Sequence, residues 1–240
     1  MIGVVQNESL AGKIIQGAWL HNDKLRDIGY AILQKYDYKC QVCGIQSKPS
    51  KVYRDGMMIP VDLKHAGLAA TNEKGGLCYC PLCASAAATN WSVVSTVTGD
   101  VKNIAPGFLV CFPNKSQADV NRLALFTLIN TQRPNDSPLF SAATDIDVTM
   151  VRLAKEIAQH IPIYRQNSGD ADFVKALSRI SDKFYKERAQ IIGPLRWWPN
   201  MSYWDDYGKY LYAATIRAYE NKIGLNNKLE ALLSDQGKGE

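Results

Sequence analysis

"GGLCYCPLCAS", residues 75–85, places Cys78, Cys80 and Cys83 within six positions, and "YKCQVCGIQ", residues 38–46, places Cys40 and Cys43 upstream. That is five thiols in two clusters, one more than a tetrahedral metal site takes. A Cys-x-x-Cys-Gly turn holds both sulfurs on one side of a tight loop, and Gly44 lets the backbone curl beneath them. In the second cluster Pro81 suits the first position of a helix, where no N–H is needed. This predicts Cys80 at the N-cap and Cys83 in the first turn. The positive helix end and a metal both favour thiolates there. Cys40, Cys43, Cys80 and Cys83 are the expected ligands of one structural Zn2+. The alternative uses Cys78 in place of Cys80. Both together on one ion would form a strained chelate, since only Tyr79 separates them. The sixth cysteine, Cys111 in "FLVCF", reads as a core thiol.

Metal rather than disulfide chemistry suits the rest of the chain. Its 240 residues are long enough to bury a sizeable core. The composition, 46% hydrophobic and 21% charged, is that of a globular protein. The net charge of +5 permits an anionic partner without demanding one. No apolar run reaches the length of a membrane span. The start, "MIGVVQNESLAGK", lacks the basic and apolar regions of a signal peptide, so the cytosol is the expected compartment, where clustered thiols stay reduced.

Around the cysteines the chain reads as follows. The first ~20 residues are an expected arm. Leu25, Ile28, Ile32 and Tyr36 fall at helical spacing and predict a helix over about 23–36 that delivers the chain to Cys40. "KVYRDGMMIPV" has apolar residues on both sides of Asp55-Gly56, a hairpin signal. "KHAGLAATNEKGG" is an expected loop. "WSVVSTVTGD", with a turn at Gly99-Asp100, and "FLVCF" read as β-like pieces. Ser116 and Asp119 form a capping-box pattern opening a helix. Helices are also expected over "DIDVTMVRLAKEIAQHI", over "DADFVKALSRISDKFYKE" and over "MSYWDDYGKYLYAATIRAYENK", the last with Ser202 as cap. "GPLRWWPN" reads as a break, and the tail "SDQGKGE" as frayed.

Knuckle, hairpin, then a helix carrying the second cysteine pair is the order of a treble-clef zinc module. The expected fold class is therefore α+β. An HNH-like zinc-binding unit over 1–115 would be followed by a helical region over 116–240 packed against it. In HNH nucleases the same hairpin carries an Asp-His or His-His pair that binds a catalytic divalent ion. Here Asp62 is followed by Leu63, and His65 comes three positions later in the expected loop. The other histidines are His21, read as solvated surface, and His160, read as the end of a helix. Four thiolates saturate zinc, and a hydrolytic zinc needs an open position. No catalytic residues are expected.

These residues carry a family resemblance. The chain resembles the IcmJ (DotN) family of type IVB (Dot/Icm) secretion systems. The resemblance is clearest in "ILQKYDYKCQVCGIQ" (32–46) and "LCYCPLCA" (77–84). It starts at "GAWL" (17–20), continues into "LVCFPNKSQADVNRLALFTLIN" (109–130), and is weaker over "PLRWWPNMSYWDDYGKYLYAA" (194–214). It implies an HNH-like zinc fold without nuclease function. The implied role is an adaptor in the inner-membrane coupling complex, docked on the cytoplasmic C-terminal extension of the coupling ATPase among other subunits. The implied location is cytoplasmic, peripheral to the inner membrane, without insertion. The chain departs from the family between its cysteine pairs and in its extra length. Trp and Tyr are enriched at protein interfaces, so Trp197, Trp198, Trp204 and Tyr207 are candidates for an aromatic docking surface. The alternative functions are an HNH-type nuclease using Asp62 and His65, or a DNA-binding module of a conjugation system.

Overall fold

The computed structural model describes residues 2–62, 70, 72–94, 97–98, 101–102, 104–157, 169–187, 190, 192–216 and 218. Among these the fold is α+β, with helices surrounding three two-stranded antiparallel sheets.

The N-terminal segment is not an arm. Asn7 accepts a hydrogen bond from the Leu10 N–H and opens α1 (Glu8–Ile15), followed by a 3₁₀ turn, Ala18–His21. Ala11, Ile14, Ile15 and Trp19 are buried. Ahead of α1, Ile2 is fully buried, and Gly3 is tied by backbone hydrogen bonds to Ala86 and Thr89. A single-turn spacing of apolar residues is a weak sequence signal; burial against the rest of the chain is what fixes this helix. Asn22 caps α2 (Asp23–Lys35), which matches the predicted helix. Asp37 and Tyr38, both at positive φ, then turn the chain into the cysteine knuckle.

The hairpin lies elsewhere than the Asp55-Gly56 signal suggested. β1 (Ile59–Val61) pairs with β2 (Leu77–Tyr79), with Pro60 opposite Cys78. Asp55-Gly56 is a tight turn that only leads into β1: Gly56 and Met57 have φ of 61° and 55°. No strand precedes it. Val52 is 79% exposed, so the upstream apolar pair has no face to pair against. Directly after β2 comes α3 (Pro81–Ala87), then α4 (Thr89–Ser92). Trp91 and Ser92, predicted as β-like, close α4; only β3 (Val97–Thr98) and β4 (Val101–Lys102) pair across the expected turn.

β5 (Gly107–Cys111) is the predicted "FLVCF" strand, and its partner was read as a break. β6 (Leu195–Pro199) pairs with it antiparallel, with Leu109 opposite Trp197 and Cys111 opposite Leu195. The prolines of "GPLRWWPN" bound this strand rather than interrupt it. Side chains bond to the outer edge of each strand at its centre. Asp170 accepts from the Leu109 N–H at 2.7 Å, and Gln117 bonds both backbone groups of Trp197. At this central pair the outward backbone groups of Trp197 and the Leu109 N–H find partners without a third strand.

α5 (Gln117–Asn130) opens with the predicted capping box: Ser116 accepts from the Asp119 N–H, and the Asp119 carboxylate accepts from the Ser116 N–H. α6 (Pro138–Lys155) starts about two turns before the predicted start at Asp145, with Pro138 in its first turn. The stripe read as one helix over 170–187 is two, α7 (Asp170–Ser178) and α8 (Asp182–Lys186). Ser181 is extended between them, and Phe184, the last member of the stripe, is 54% exposed. The last helix, α9, spans 205–216. It begins beyond Ser202, whose N–H instead donates to Asn200 Oδ1, so Ser202 is not its cap. The expected end of that helix, the tail and most of the 64–76 loop lie outside the described residues.

The boundary drawn near residue 115 falls between β5 and α5. The pairing of β5 with β6 crosses it, and one continuous buried cluster runs from Ile2 to Leu211. The 116–240 segment also contributes a strand, β6, and is not purely helical. No described helix is long and apolar enough to cross a membrane.

Candidate metal centre

Two local structures converge on one point. In the first, the Cys40 N–H donates to the Ile45 carbonyl and the Gly44 N–H to the Cys40 carbonyl, closing the knuckle. Gly44, at φ 81°, supplies the reversal. A bridge between Lys39 and Gln46 clamps its base. In the second, Cys80 is the N-cap of α3 with Pro81 behind it; Cys80 Sγ accepts from the Cys83 N–H at 3.4 Å. Both predicted positions are as the sequence indicated.

The result is a cluster of Cys40, Cys43, Cys80 and Cys83, with all four sulfurs within 4.8 Å of one another and every residue buried. Cys43 Sγ and Cys80 Sγ are 3.6 Å apart, too far for a disulfide. Metal–sulfur bonds of about 2.3 Å, as in zinc sites, put tetrahedral sulfurs about 3.8 Å apart. The four cysteines therefore fit a single structural metal ion.

The charges point the same way. Hydrogen bonds from its neighbours, Cys43 first, hold the Cys40 thiol far below its ordinary range. Cys43 is lowered too, its opposing bond with Cys40 outweighed by those from Cys80 and Cys83. Burial pushes Cys80 far up, and the bonds shared with Cys40 and Cys43 push up Cys83. Four thiols this close cannot all ionise alone; a divalent cation at their centre removes the conflict.

Cys78 is fully buried in β2 and stands outside this cluster. Burial first, and then the negative charge of Cys40 and Cys43, push its thiol up to about 12. Cys111 is a buried strand residue, as expected, its thiol raised by burial. Of the residues considered for nuclease chemistry, Asp62 is 1% exposed at the end of β1, close against Gly75. His21 is exposed in the 3₁₀ turn. His65 and His160 lie outside the described residues.

Burial separates the four aromatic docking candidates. Trp197 and Trp198 are fully buried in β6, and Trp204 and Tyr207 are buried as well. Their polar atoms are turned inward: Trp198 Nε1 donates to Asp147 Oδ1, and Trp204 Nε1 to the Pro106 carbonyl. Trp197 and Trp198 are core residues, whereas Trp204 and Tyr207, though buried, line a groove that opens to the surface. Tyr207 lies close enough to the cluster that the charges of all four cysteines add to the effect of burial in raising its hydroxyl.

Three residues of α5 that no motif marks, Gln117, Asn121 and Arg122, stand beside the centre. Asn121 Nδ2 donates to Cys83 Sγ at 3.1 Å. Gln117 Nε2 donates to Asn121 Oδ1 at 2.8 Å. Arg122 Nε donates to the Cys43 carbonyl at 2.8 Å while its guanidinium pairs with Asp119. Their signal was present. Gln117 and Asn121 sit four apart, in register with Ala124 and Leu128 on the apolar face of α5, where a polar residue needs a buried partner. No protein-family model matches the chain, and no curated protein sequence matches it.

Proposed function

We propose that this protein is a zinc-stabilised, non-catalytic adaptor subunit of a type IVB secretion or conjugation coupling complex. It would dock on the cytoplasmic C-terminal extension of the coupling ATPase, peripheral to the inner membrane, and help recruit substrates. The observation that carries this reading is the buried Cys40–Cys43–Cys80–Cys83 cluster. Four thiolates fill a tetrahedral zinc, so the ion's role is to hold structure. The order of knuckle, β1–β2 hairpin and α3 supports a treble-clef, HNH-like module. The resemblance in residues 32–46 and 77–84 supports the adaptor role.

With the β6 tryptophans in the core, the docking site moves to a groove of about 640 Å³ beside the module. Trp19, Tyr30, Tyr53 and Tyr203 line it, together with the predicted Trp204 and Tyr207. Lys51 and Arg54 stand exposed on its rim, and neither forms an ion pair among the described residues. Apolar walls with free cations at the edge suit a segment with aliphatic or aromatic anchors and acidic flanks.

Calorimetry with the C-terminal extension of the coupling ATPase encoded alongside this protein tests the reading. Stable binding is expected, and the double variant Lys51→Glu/Arg54→Glu should weaken it at least tenfold at unchanged melting temperature. Absence of binding to every cytoplasmic part of that ATPase would remove the adaptor reading. Plasmid cleavage with Mg²⁺ or Mn²⁺ that is lost in His65→Ala would put a nuclease in its place. DNA retention that weakens with salt would put a DNA-binding module there.

A further inference from the structure

The metal centre is connected to β6 by a buried chain of side chains whose direction can be worked out from the backbone alone. Leu109 and Trp197 face each other across the β5–β6 sheet. The N–H and C=O of Trp197 both turn to Gln117: the Trp197 N–H donates to Gln117 Oε1, and Gln117 Nε2 donates to the Trp197 carbonyl, each at 2.8 Å. A backbone N–H can only donate, so the Gln117 amide has one allowed orientation. Its Nε2 carries a second N–H, which goes to Asn121 Oδ1 at 2.8 Å. That in turn fixes the Asn121 amide. Its oxygen faces Gln117, and its nitrogen must face Cys83 Sγ, 3.1 Å away. Gln117 is 2% exposed and Asn121 0%, so no solvent competes for either amide.

We propose that Asn121 is a positioning residue of the metal centre. Its side-chain N–H donates to the Cys83 thiolate in the metal-loaded protein, and Gln117 holds it in that orientation by bracing on the backbone of Trp197. The proposal rests on the four cysteines binding a metal. Four thiolates on a divalent ion leave a buried net charge of −2, which needs fixed donors around it. The Cys83 N–H supplies one at Cys80 Sγ, and Asn121 supplies one at Cys83 Sγ. A donor at a metal-bound sulfur withdraws charge from it. It lowers the thiolate's affinity for protons and electrophiles and fixes the direction of its lone pairs. Partners of this kind are typically worth about 10- to 100-fold in metal affinity. The chain also ties the centre to the β5–β6 sheet, 80 residues away in sequence at the Gln117–Trp197 link.

The decisive measurement uses the full-length wild-type protein loaded with cadmium-113. A cross-peak between the metal and the Asn121 side-chain amide proton, carried through the N–H···S hydrogen bond, is expected. Its absence, in a sample where the Cys83 backbone N–H does show metal coupling, would overturn the proposal. Two variants read the same point independently. Asn121→Leu should lose zinc to a competing chelator at least tenfold more readily and shift the thiolate-to-metal charge-transfer band of the cobalt(II) form. Gln117→Leu, which leaves Asn121 but frees its amide, should move both readouts in the same direction by less. Wild-type zinc affinity and an unchanged cobalt spectrum in Asn121→Leu would also overturn it. If neither variant folds, the wild-type cadmium experiment decides alone. A wild-type protein that gives no tetrahedral thiolate spectrum with cobalt would instead remove the metal centre itself, a separable result.

Discussion

The backbone N–H of Gln41 donates to the carbonyl of Cys78 at 2.9 Å, joining the Cys40–Cys43 knuckle to the strand that leads into Cys80. Cys78 thus supports the candidate metal centre with its backbone, while its thiol stays outside the four-sulfur cluster. A substitution that keeps the backbone should keep the metal. Cys78→Ala is expected to bind one zinc per chain and to cost about 1 kcal/mol, the scale of a small buried group lost from a core. Cys80→Ser removes a ligand and should lose both the metal and cooperative unfolding. Metal content and thermal unfolding of the two variants side by side check this. Metal lost in the first and retained in the second would exchange the two ligand assignments. With its thiol raised to about 12, Cys78 should also remain protonated and slow to alkylate at neutral pH.

Metal removal should act on more than the knuckle. Asn121 and Arg122 of α5 bond to Cys83 Sγ and the Cys43 carbonyl, so the centre joins the two ends of the cysteine module to α5. Folding and metal binding are coupled in such sites. A chelator is expected to lower the melting temperature, and Cys43→Ser to do the same without chelator. Amide exchange should rise first over 38–47 and 77–87 and then along the first turns of α5. Uniform exchange before and after chelation would show that the centre carries no folding energy.

A pH dependence follows from Asp147. Desolvation raises its carboxyl above the ordinary value of 3.8, against the hydrogen bond from Trp198 Nε1 that favours the charged form. A raised acid pKa means that the folded state holds its proton longer than the unfolded state. Stability contributed by the protonated form is then present below 3.8 and lost as pH rises through the folded value. Asp147→Asn keeps an acceptor for Trp198 and removes the charge. It should be more stable than wild type near neutral pH, with the difference vanishing at acid pH. Denaturant unfolding at pH 7 and pH 3 measures this, and a variant less stable at pH 7 would contradict it.

The parts of this fold that were legible in the sequence are those where local chemistry decides. Pro81 behind a capping Cys80 and Ser116 with Asp119 both follow from where a backbone N–H finds its partner. The four clustered cysteines were legible because two paired spacings left few other sets. What was missed depends on partners far along the chain. β6 reads as a proline-bounded break until β5 lies beside it, and Trp197 reads as an interface residue until both faces of that sheet are covered. The Asp55-Gly56 signal was real as a turn but misled as a hairpin, because the segment before it has no apolar face to pair. Gln117 and Asn121 were visible as polar residues on an apolar helix face, yet their roles require knowing that Trp197 and Cys83 lie against that face.

Two glycines at positive φ separate backbone strain from crowding. Gly44 has a φ of 81° with open space where a Cβ would stand. Gly44→Ala should therefore cost only the left-handed conformation, about 1–2 kcal/mol. Gly56 has a φ of 61°, and a Cβ there would collide with the carbonyl of Ser47, a backbone group that cannot swing aside. Ser47 is itself held, its N–H donating to the Tyr38 carbonyl and its hydroxyl sharing a hydrogen bond with the Tyr210 hydroxyl. Gly56→Ala must then displace the 47–57 turn, which carries Lys51 and Arg54 on the rim of the proposed docking groove. It should cost clearly more than Gly44→Ala in thermal unfolding. It should also weaken binding of the ATPase segment, while Gly44→Ala leaves binding intact as long as the metal is retained. Equal stability losses in the two variants would show that the Ser47 backbone yields, and that the turn does not hold this wall of the groove in place.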